Sequence, residues 1–177
     1  HLFAGAVLLT GATVLVNDAD GINLGASDVD ILTVTTVTGD ITDSGVLDVS
    51  ATATFTAEAG AGNITLDQLN EFDDAVSLTG NLVIINDNDG GIVLGASSIG
   101  TFTLTSTGDV TDTGVVVITG TSSLTANGQN ITLGTTDFQG AVTIDTSSGA
   151  AAGGAVNIEN ADALTFTSID TSGGTGL

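Results

Sequence analysis

Two seven-residue stretches decide the fold: residues 21–27 read GINLGAS, and residues 91–97 read GIVLGAS. Each is followed by a second motif, GDITDSG at 39–45 and GDVTDTG at 108–114. Both motifs therefore return at nearly the same distance along the chain. Self-similarity at a fixed period is the signature of stacked-repeat folds, in which each unit buries its apolar face against its neighbours. The motifs predict a rod built from repeats.

The same spacing extends beyond these motifs. NITL at 63–66 returns at 130–133, and Phe72 returns as Phe138, so the offset between matched positions shortens slightly along the chain. This slow drift indicates short deletions in turns. We predict one continuous segment over residues 1–177, with repeat one at about 11–79, repeat two at about 80–153 and a partial third repeat from about 154.

Local patterns are those of short strands separated by turns. Apolar and small polar residues alternate, as in TFTLT at 101–105, which places one face of each strand inward. Clusters of Asn, Asp and Gly, such as NDNDGG at 86–91, favour turns. Residues 67–75 resemble a helical turn, but their counterpart in repeat two does not, so we expect a loop there.

Short strands without proline fit a sandwich or a parallel β-helix. A sandwich has no need for the same side chains to return in register after about 70 residues, whereas stacked coils do. We therefore predict an all-β fold, a parallel β-helix (β-solenoid) in which each repeat forms roughly three coils. Coils of about 20–25 residues would give about eight coils, spaced by the ~4.8 Å that separates strands.

Composition excludes several functions. The 177 residues include 21 Asp and Glu but no Lys or Arg, for a formal net charge of −21. Such a chain cannot neutralise phosphates, so we expect no nucleic-acid partner. The early apolar run at 6–9 is far too short for a bilayer, so we expect no direct membrane insertion.

Catalysis has few candidate residues. The chain lacks Cys, Lys, Tyr and Arg, and its one histidine is His1. Acidic pairs alone can hydrolyse glycosides, and Asp73-Asp74 is the one adjacent pair. Neighbouring residues on a strand point to opposite faces, however, so we predict that the protein is not an enzyme.

The acidic turns are the best candidate metal site. Asp18 and Asp20 precede Gly21, while Asp87 and Asp89 precede Gly90. The Asp-x-Asp-Gly core of calcium loops has this pattern, but the earlier acidic ligand and the later Glu are missing. Ordered Ca²⁺ at these four aspartates is one hypothesis, and turns stabilised by their side chains are the other. No other cofactor is expected.

Two further surface patterns have alternative interpretations. Asn63 and Asn130 begin Asn-Ile-Thr sequons at matched positions, which predicts either glycosylation or an asparagine ladder between coils. Thr-x-Thr runs, such as those at 33–35 and 101–105, are good outward strand sequences and also the kind of pattern that binds ice when it recurs in every coil. Their spacing in the sequence is irregular.

The recurring GINLGAS/GIVLGAS, GDITDSG/GDVTDTG and NITL units resemble the repeats of filamentous-haemagglutinin-like bacterial surface adhesins. This resemblance implies a right-handed parallel β-helix, export to the cell surface and a role in adhesion or surface filaments. We therefore expect an extracellular structural shaft whose open ends stack head-to-tail on neighbouring repeats or copies. The alternative is a calcium-dependent module that binds carbohydrate or mediates cell adhesion, with surface glycans as partners.

Overall fold

Alternation of inward apolar and outward polar residues produces short strands that stack only in parallel. The computed structural model describes residues 3–148 and 153–173, and every strand pairing within them is parallel. One short 3₁₀ turn, Glu58–Gly60, interrupts the strands. The strands are β1 (Thr10–Asp18), β2 (Ile22–Leu24), β3 (Ser27–Thr36), β4 (Ile41–Asp43), β5 (Leu47–Val49), β6 (Ala53–Ala57), β7 (Ile64–Phe72), β8 (Val76–Asp87), β9 (Gly91–Leu94), β10 (Ser97–Ser106), β11 (Asp109–Asp112), β12 (Val116–Ile118), β13 (Ser122–Thr125), β14 (Ile131–Leu133), β15 (Thr136–Phe138), β16 (Ala141–Asp145), β17 (Val156–Ile158) and β18 (Thr165–Asp170).

One unbroken column of paired residues shows how the coils stack. Each member pairs with the residue at the same position in the next coil, and the inward column contains Ile22, Ile41, Ile64, Val83, Phe102, Ser122, Val142 and Phe166. The protein is therefore a parallel β-solenoid of about eight coils, as the repeat predicts.

The register also fixes the relation between repeats. Ile92 is the sequence counterpart of Ile22, but it lies midway along the coil that runs from Val83 to Phe102. Phe102, the counterpart of Leu32, occupies the column of Ile22 instead of the column of Leu32. A repeat thus spans about three and a half coils, which refines the predicted three. Matched residues of the two repeats lie on different sides of the rod.

The core is a continuous stack of the inward side chains. Phe55 and Phe72 meet edge to face, with ring centroids 6.2 Å apart. Phe102 and Phe138 are also buried, and Leu124 fills the position that Phe55 holds in repeat one. Such columns remove apolar surface from water at about 25 cal/mol per Å², so stacking stabilises each coil through its neighbours.

One local expectation is wrong. Residues 67–72 continue strand β7 and do not form a loop, although the pairing with β8 shifts register between Leu66 and Asn70. The irregularity is a β-bulge with two extra residues on β7, because four residues from Leu66 to Asn70 oppose two on β8, and this is why the sequence lacks clean alternation there. Within residues 3–148 and 153–173, no helical segment is long and apolar enough to span a membrane.

Candidate functional site

The two motifs that define the repeat lie directly on one another. Ile22 pairs with Ile41, so GINLGAS lies in one coil and GDITDSG in the next. Repeat two has the same arrangement, with Ile92 paired to Val110. A side chain at Gly45 or at Gly114 would collide with the backbone nitrogen of the alanine in the coil below, Ala26 or Ala96. Glycine is therefore required for close stacking at this corner.

A serine at the end of each GINLGAS-type motif stabilises the same corner. The Ser27 hydroxyl donates to the Gly25 carbonyl at 2.8 Å and accepts the Leu9 backbone N–H at 3.1 Å. Ser97 donates to Gly95 at 2.9 Å and accepts the N–H of Leu78 at 3.0 Å. Each hydroxyl closes its own turn and also holds the preceding coil.

The first aspartate of each GDITDSG-type motif begins a relay of hydrogen bonds between coils. The Asp40 carboxylate accepts the Asn63 N–H at 2.8 Å, and the Asn63 side-chain oxygen accepts the Leu82 N–H at 3.2 Å. In repeat two Asp109 accepts from Asn130 at 2.7 Å, and the Asn130 side chain accepts from Ala155 at 2.9 Å. The side-chain oxygens of both sequon asparagines thus join adjacent coils. Glycosylation of their amide nitrogens stays a prediction.

The second aspartate of the motif holds the turn of the following coil. Asp43 accepts the Asp67 N–H at 3.0 Å and the Asn70 side-chain amide at 2.8 Å. Asn70 is fully buried, and its own oxygen accepts the Leu47 N–H at 2.8 Å. Burial raises the pKa of Asp43, although the bond from Asn70 and those from the turn oppose the shift.

Asp112 occupies the matched position in repeat two with a different set of donors. It accepts the N–H groups of Gly134 and Thr135 at 2.9 and 2.8 Å, and the hydroxyl of Thr136 at 2.9 Å. Partial burial on its own would raise the pKa of Asp112, but these hydrogen bonds outweigh it and the pKa is lowered.

The four aspartates predicted as calcium ligands divide into a buried and an exposed pair. Asp18 and Asp87 point inward with 1% and 2% exposure, whereas Asp20 and Asp89 are exposed. Asp18 accepts the N–H groups of Ala19 and Phe3 at 2.7 and 3.3 Å.

Asp87 lies in the matched corner of repeat two. It accepts the Phe72 N–H and the Ser106 hydroxyl, both at 3.2 Å. Burial raises the pKa of Asp87 to about 6, and the neighbouring charges of Asp89 and Asp73 add to the shift.

These positions bear on the calcium hypothesis without testing it. Among residues 3–148 and 153–173, no group of three or more acidic or histidine side chains is arranged to hold a metal ion. The two Asp pairs also lie on different sides of the rod because a repeat spans about three and a half coils. Calcium binding at Asp18, Asp20, Asp87 and Asp89 stays a prediction.

Sequence reasoning missed the most connected polar residues, Asp43 and Asn70 in repeat one and Asp112 in repeat two. The sequence pattern that could have identified the two aspartates is their recurrence at a fixed spacing in GDITDSG and GDVTDTG. A carboxylate that recurs in a solenoid repeat can accept hydrogen bonds from the next coil, and here it accepts them from that coil's backbone N–H groups.

The fold and the stacked motifs define a class, the parallel β-solenoids made of tandem repeats. The family described as "Repeats of unknown function (DUF5649)" matches residues 10–79 and 79–145. These matches cover most of the chain, so the protein belongs to this repeat family. No curated protein and no solved structure matches it.

Proposed function

We propose that the chain is a structural shaft segment of a secreted bacterial surface fibre or adhesin, acting at the cell surface. One observation carries the proposal: the polar residues that define the repeat are used to join coils. Asp40, Asp43 and Asn63 each accept hydrogen bonds from the following coil, and so do their counterparts. Such a network supports mechanical continuity.

The last described coil supports head-to-tail stacking. Phe166 and Ile169 occupy core columns but are 39% and 46% exposed, whereas Phe102 in the same column as Phe166 is 1% exposed. Strand edges and apolar side chains left uncovered are docking surfaces for another coil. A neighbouring repeat or a second copy, added head-to-tail, would extend the rod as a filament.

The net charge fits a shaft that must stay dispersed. With 21 acidic residues and no basic ones, separate rods repel each other in dilute solution. The resemblance of the repeat motifs to filamentous-haemagglutinin-like adhesins supports the extracellular part of the proposal.

Cryo-electron microscopy of the native material, with and without EDTA, tests the proposal. A continuous filament with a ~4.8 Å repeat along its axis that survives EDTA is the expected result. Discrete particles, or a rod that dissociates on chelation, would overturn the structural role and favour the calcium-dependent adhesion module.

A pair of variants tests the stacking surface. Ile169→Asp places a charge on the exposed side of the last described coil and should stop end-to-end growth. Val115→Asp is the matched control. Val115 is 60% exposed, and its coil already has a stacked neighbour on each side. Equal extension by both variants would contradict stacking through the last coil.

A further inference from the structure

One corner of the rod carries exposed apolar side chains on successive coils. Hydrogen bonds between neighbouring residues stack these coils, for example from the Ser27 N–H to the Val46 carbonyl at 3.0 Å. We call this surface the leucine corner: Leu8, Ala26, Val46 and Leu69. Leu8 and Leu69 are 70% and 60% exposed, and Val46 is 40% exposed. Apolar side chains therefore face water in one row along the rod.

The fold does not require leucine at this corner. Repeat two closes the matching corner with the same glycine and serine contacts. There Ser77 stands in place of Leu8, and Thr135 stands in place of Leu69. Serine and threonine therefore suffice for stacking, so the two leucines expose apolar surface that the solenoid itself does not need. Contiguous exposed apolar side chains are typical of surfaces that bind a partner.

A column of carboxylates runs beside the leucine corner. Asp28 pairs with Asp48, and Asp48 pairs with Glu71 on the next coil. Each of them lies two residues after a member of the corner, on the same outward side of its strand. Like charges directly opposite each other destabilise a sheet, and the chain has no Lys or Arg to pair with them. In repeat two the matching column contains Ser98, Val117 and Asp137. The repeat therefore does not require this charge either.

We propose that the leucine corner and its acidic column are a docking surface for a basic amphipathic helix of another protein. Such a helix carries an apolar stripe beside a basic stripe, and these match the two parallel columns on the rod. Charge complementarity selects this partner, because a second copy with its net charge of −21 is repelled by the column, and so is an anionic membrane. Docking here adds a partner to the side of the proposed shaft and does not depend on end-to-end stacking.

The size of the surface predicts weak binding that depends on salt. Leu8 and Leu69 lie three coil steps apart, which is roughly 14 Å along the rod and fewer than three turns of a helix. Such a contact is smaller than a standard protein interface. The exposed carboxylates attract a basic helix mainly before contact, so added salt should slow association and weaken binding.

Isothermal titration calorimetry of the whole chain with a synthetic helical peptide, built with one leucine stripe and one lysine stripe, tests the docking. Leu8→Ser combined with Leu69→Thr copies repeat two, so this variant should fold, and it should bind the peptide about tenfold more weakly. The control is Val37→Ser combined with Val115→Thr. It removes side chains that are 67% and 60% exposed elsewhere on the rod, and it should bind as the wild type does.

The carboxylates are tested by a second pair of variants. Asp48→Asn combined with Glu71→Gln should weaken binding and flatten its dependence on salt. Asp20→Asn combined with Asp162→Asn removes the same charge from exposed positions away from the corner. This control should keep most of the affinity and most of the salt dependence.

Several outcomes would overturn the proposal. They are no binding of the peptide, equal weakening in a variant and its control, and equal binding of a peptide with serine in place of leucine. Self-association of the wild-type chain that Leu8→Ser combined with Leu69→Thr abolishes would make a second copy the occupant. In the wild type, the peptide should shift the amide NMR signals most near Leu8, Val46 and Leu69. The largest shifts at Val115 would contradict docking at the leucine corner.

Discussion

The two repeats place an aspartate at the same position, yet its surroundings differ. In repeat one Asp43 and the fully buried Asn70 form a closed cluster at the corner, and the Asn70 side chain receives the Leu47 N–H. In repeat two Asp112 is more exposed and binds a turn of backbone N–H groups and threonine hydroxyls.

A single inserted residue accounts for the difference. Phe72 lies six positions after Leu66, but Phe138 lies only five positions after Leu133. The longer turn removes a backbone acceptor from the corner, and the Asn70 side chain supplies one for Leu47. In the shorter turn the backbone carbonyl of Thr135 accepts the N–H of Val116, the counterpart of Leu47, at 3.3 Å. A side chain can thus replace a backbone group when the turn length changes.

The largest effect should be shared by both repeats. Gly45→Ala and Gly114→Ala each force a methyl group against backbone atoms that cannot move away. Each should lower the free energy of unfolding by about 3 kcal/mol or more. Urea denaturation of the two variants would measure this loss.

Equal losses would confirm that the corner is equivalent in the two repeats. Gly5→Ala is the control, since no atom lies close enough to meet the added methyl group. A small loss at either corner would contradict the close stacking.

The second-largest loss of stability should differ between the two repeats. Asn70→Ala leaves the Leu47 N–H without a partner inside the core and leaves one oxygen of Asp43 with only the long bond from the Gln68 N–H, which should cost about 2–3 kcal/mol. Thr136→Ala removes one of several donors to Asp112 and should cost about 1 kcal/mol. Urea midpoints at pH 7 would compare the two. Equal costs would show that the inserted residue does not change how the corner is held.

Much of this architecture was predictable from the sequence, but the contacts at the corner were not. Matched motifs such as GINLGAS and GIVLGAS predict stacked coils because only a solenoid requires their return in register. The same motifs do not reveal the half-coil in each repeat, since that depends on turn lengths. The Asn70 contact depends on one inserted residue within β7, where alternation is broken and the pattern reads as a loop.

Asp87 should make the rod more stable in mild acid. Its pKa is raised from 3.8 to about 6 in the folded protein, so folding favours the protonated carboxyl. The resulting penalty is absent below pH 3.8, grows as the pH rises toward 6 and is complete above that value. Asp87→Asn should remove the penalty and stabilise the rod at pH 7 by about 1–2 kcal/mol.

The pH dependence of thermal unfolding from about pH 3.5 to 7.5 would measure this effect. The control Asp89→Asn removes an exposed neighbouring charge and should keep most of the slope. A wild-type profile and an Asp87→Asn profile that run parallel would show that the Asp87 carboxyl does not titrate differently in the folded state.

Asp112 should show the smallest effect, with the opposite sign. Hydrogen bonds lower its pKa in the folded protein, so the ionised carboxylate stabilises the rod above the unfolded value of 3.8. That contribution is lost as the pH falls through the lowered pKa. Because the carboxylate is only partly buried and solvent screens its charge, Asp112→Asn should cost less than about 1 kcal/mol at pH 7.

Asp87 and Asp112 therefore change the stability of the rod in opposite directions as the pH falls. The contribution of Asp112 can be measured alone in a protein that already carries Asp87→Asn. In that background, thermal unfolding measures the stability difference between the proteins with and without Asp112→Asn. This difference should shrink below pH 3.8. A difference that grows in acid would mean that Asp112 is held like the buried Asp43. The matched positions would then be alike despite the difference in turn length.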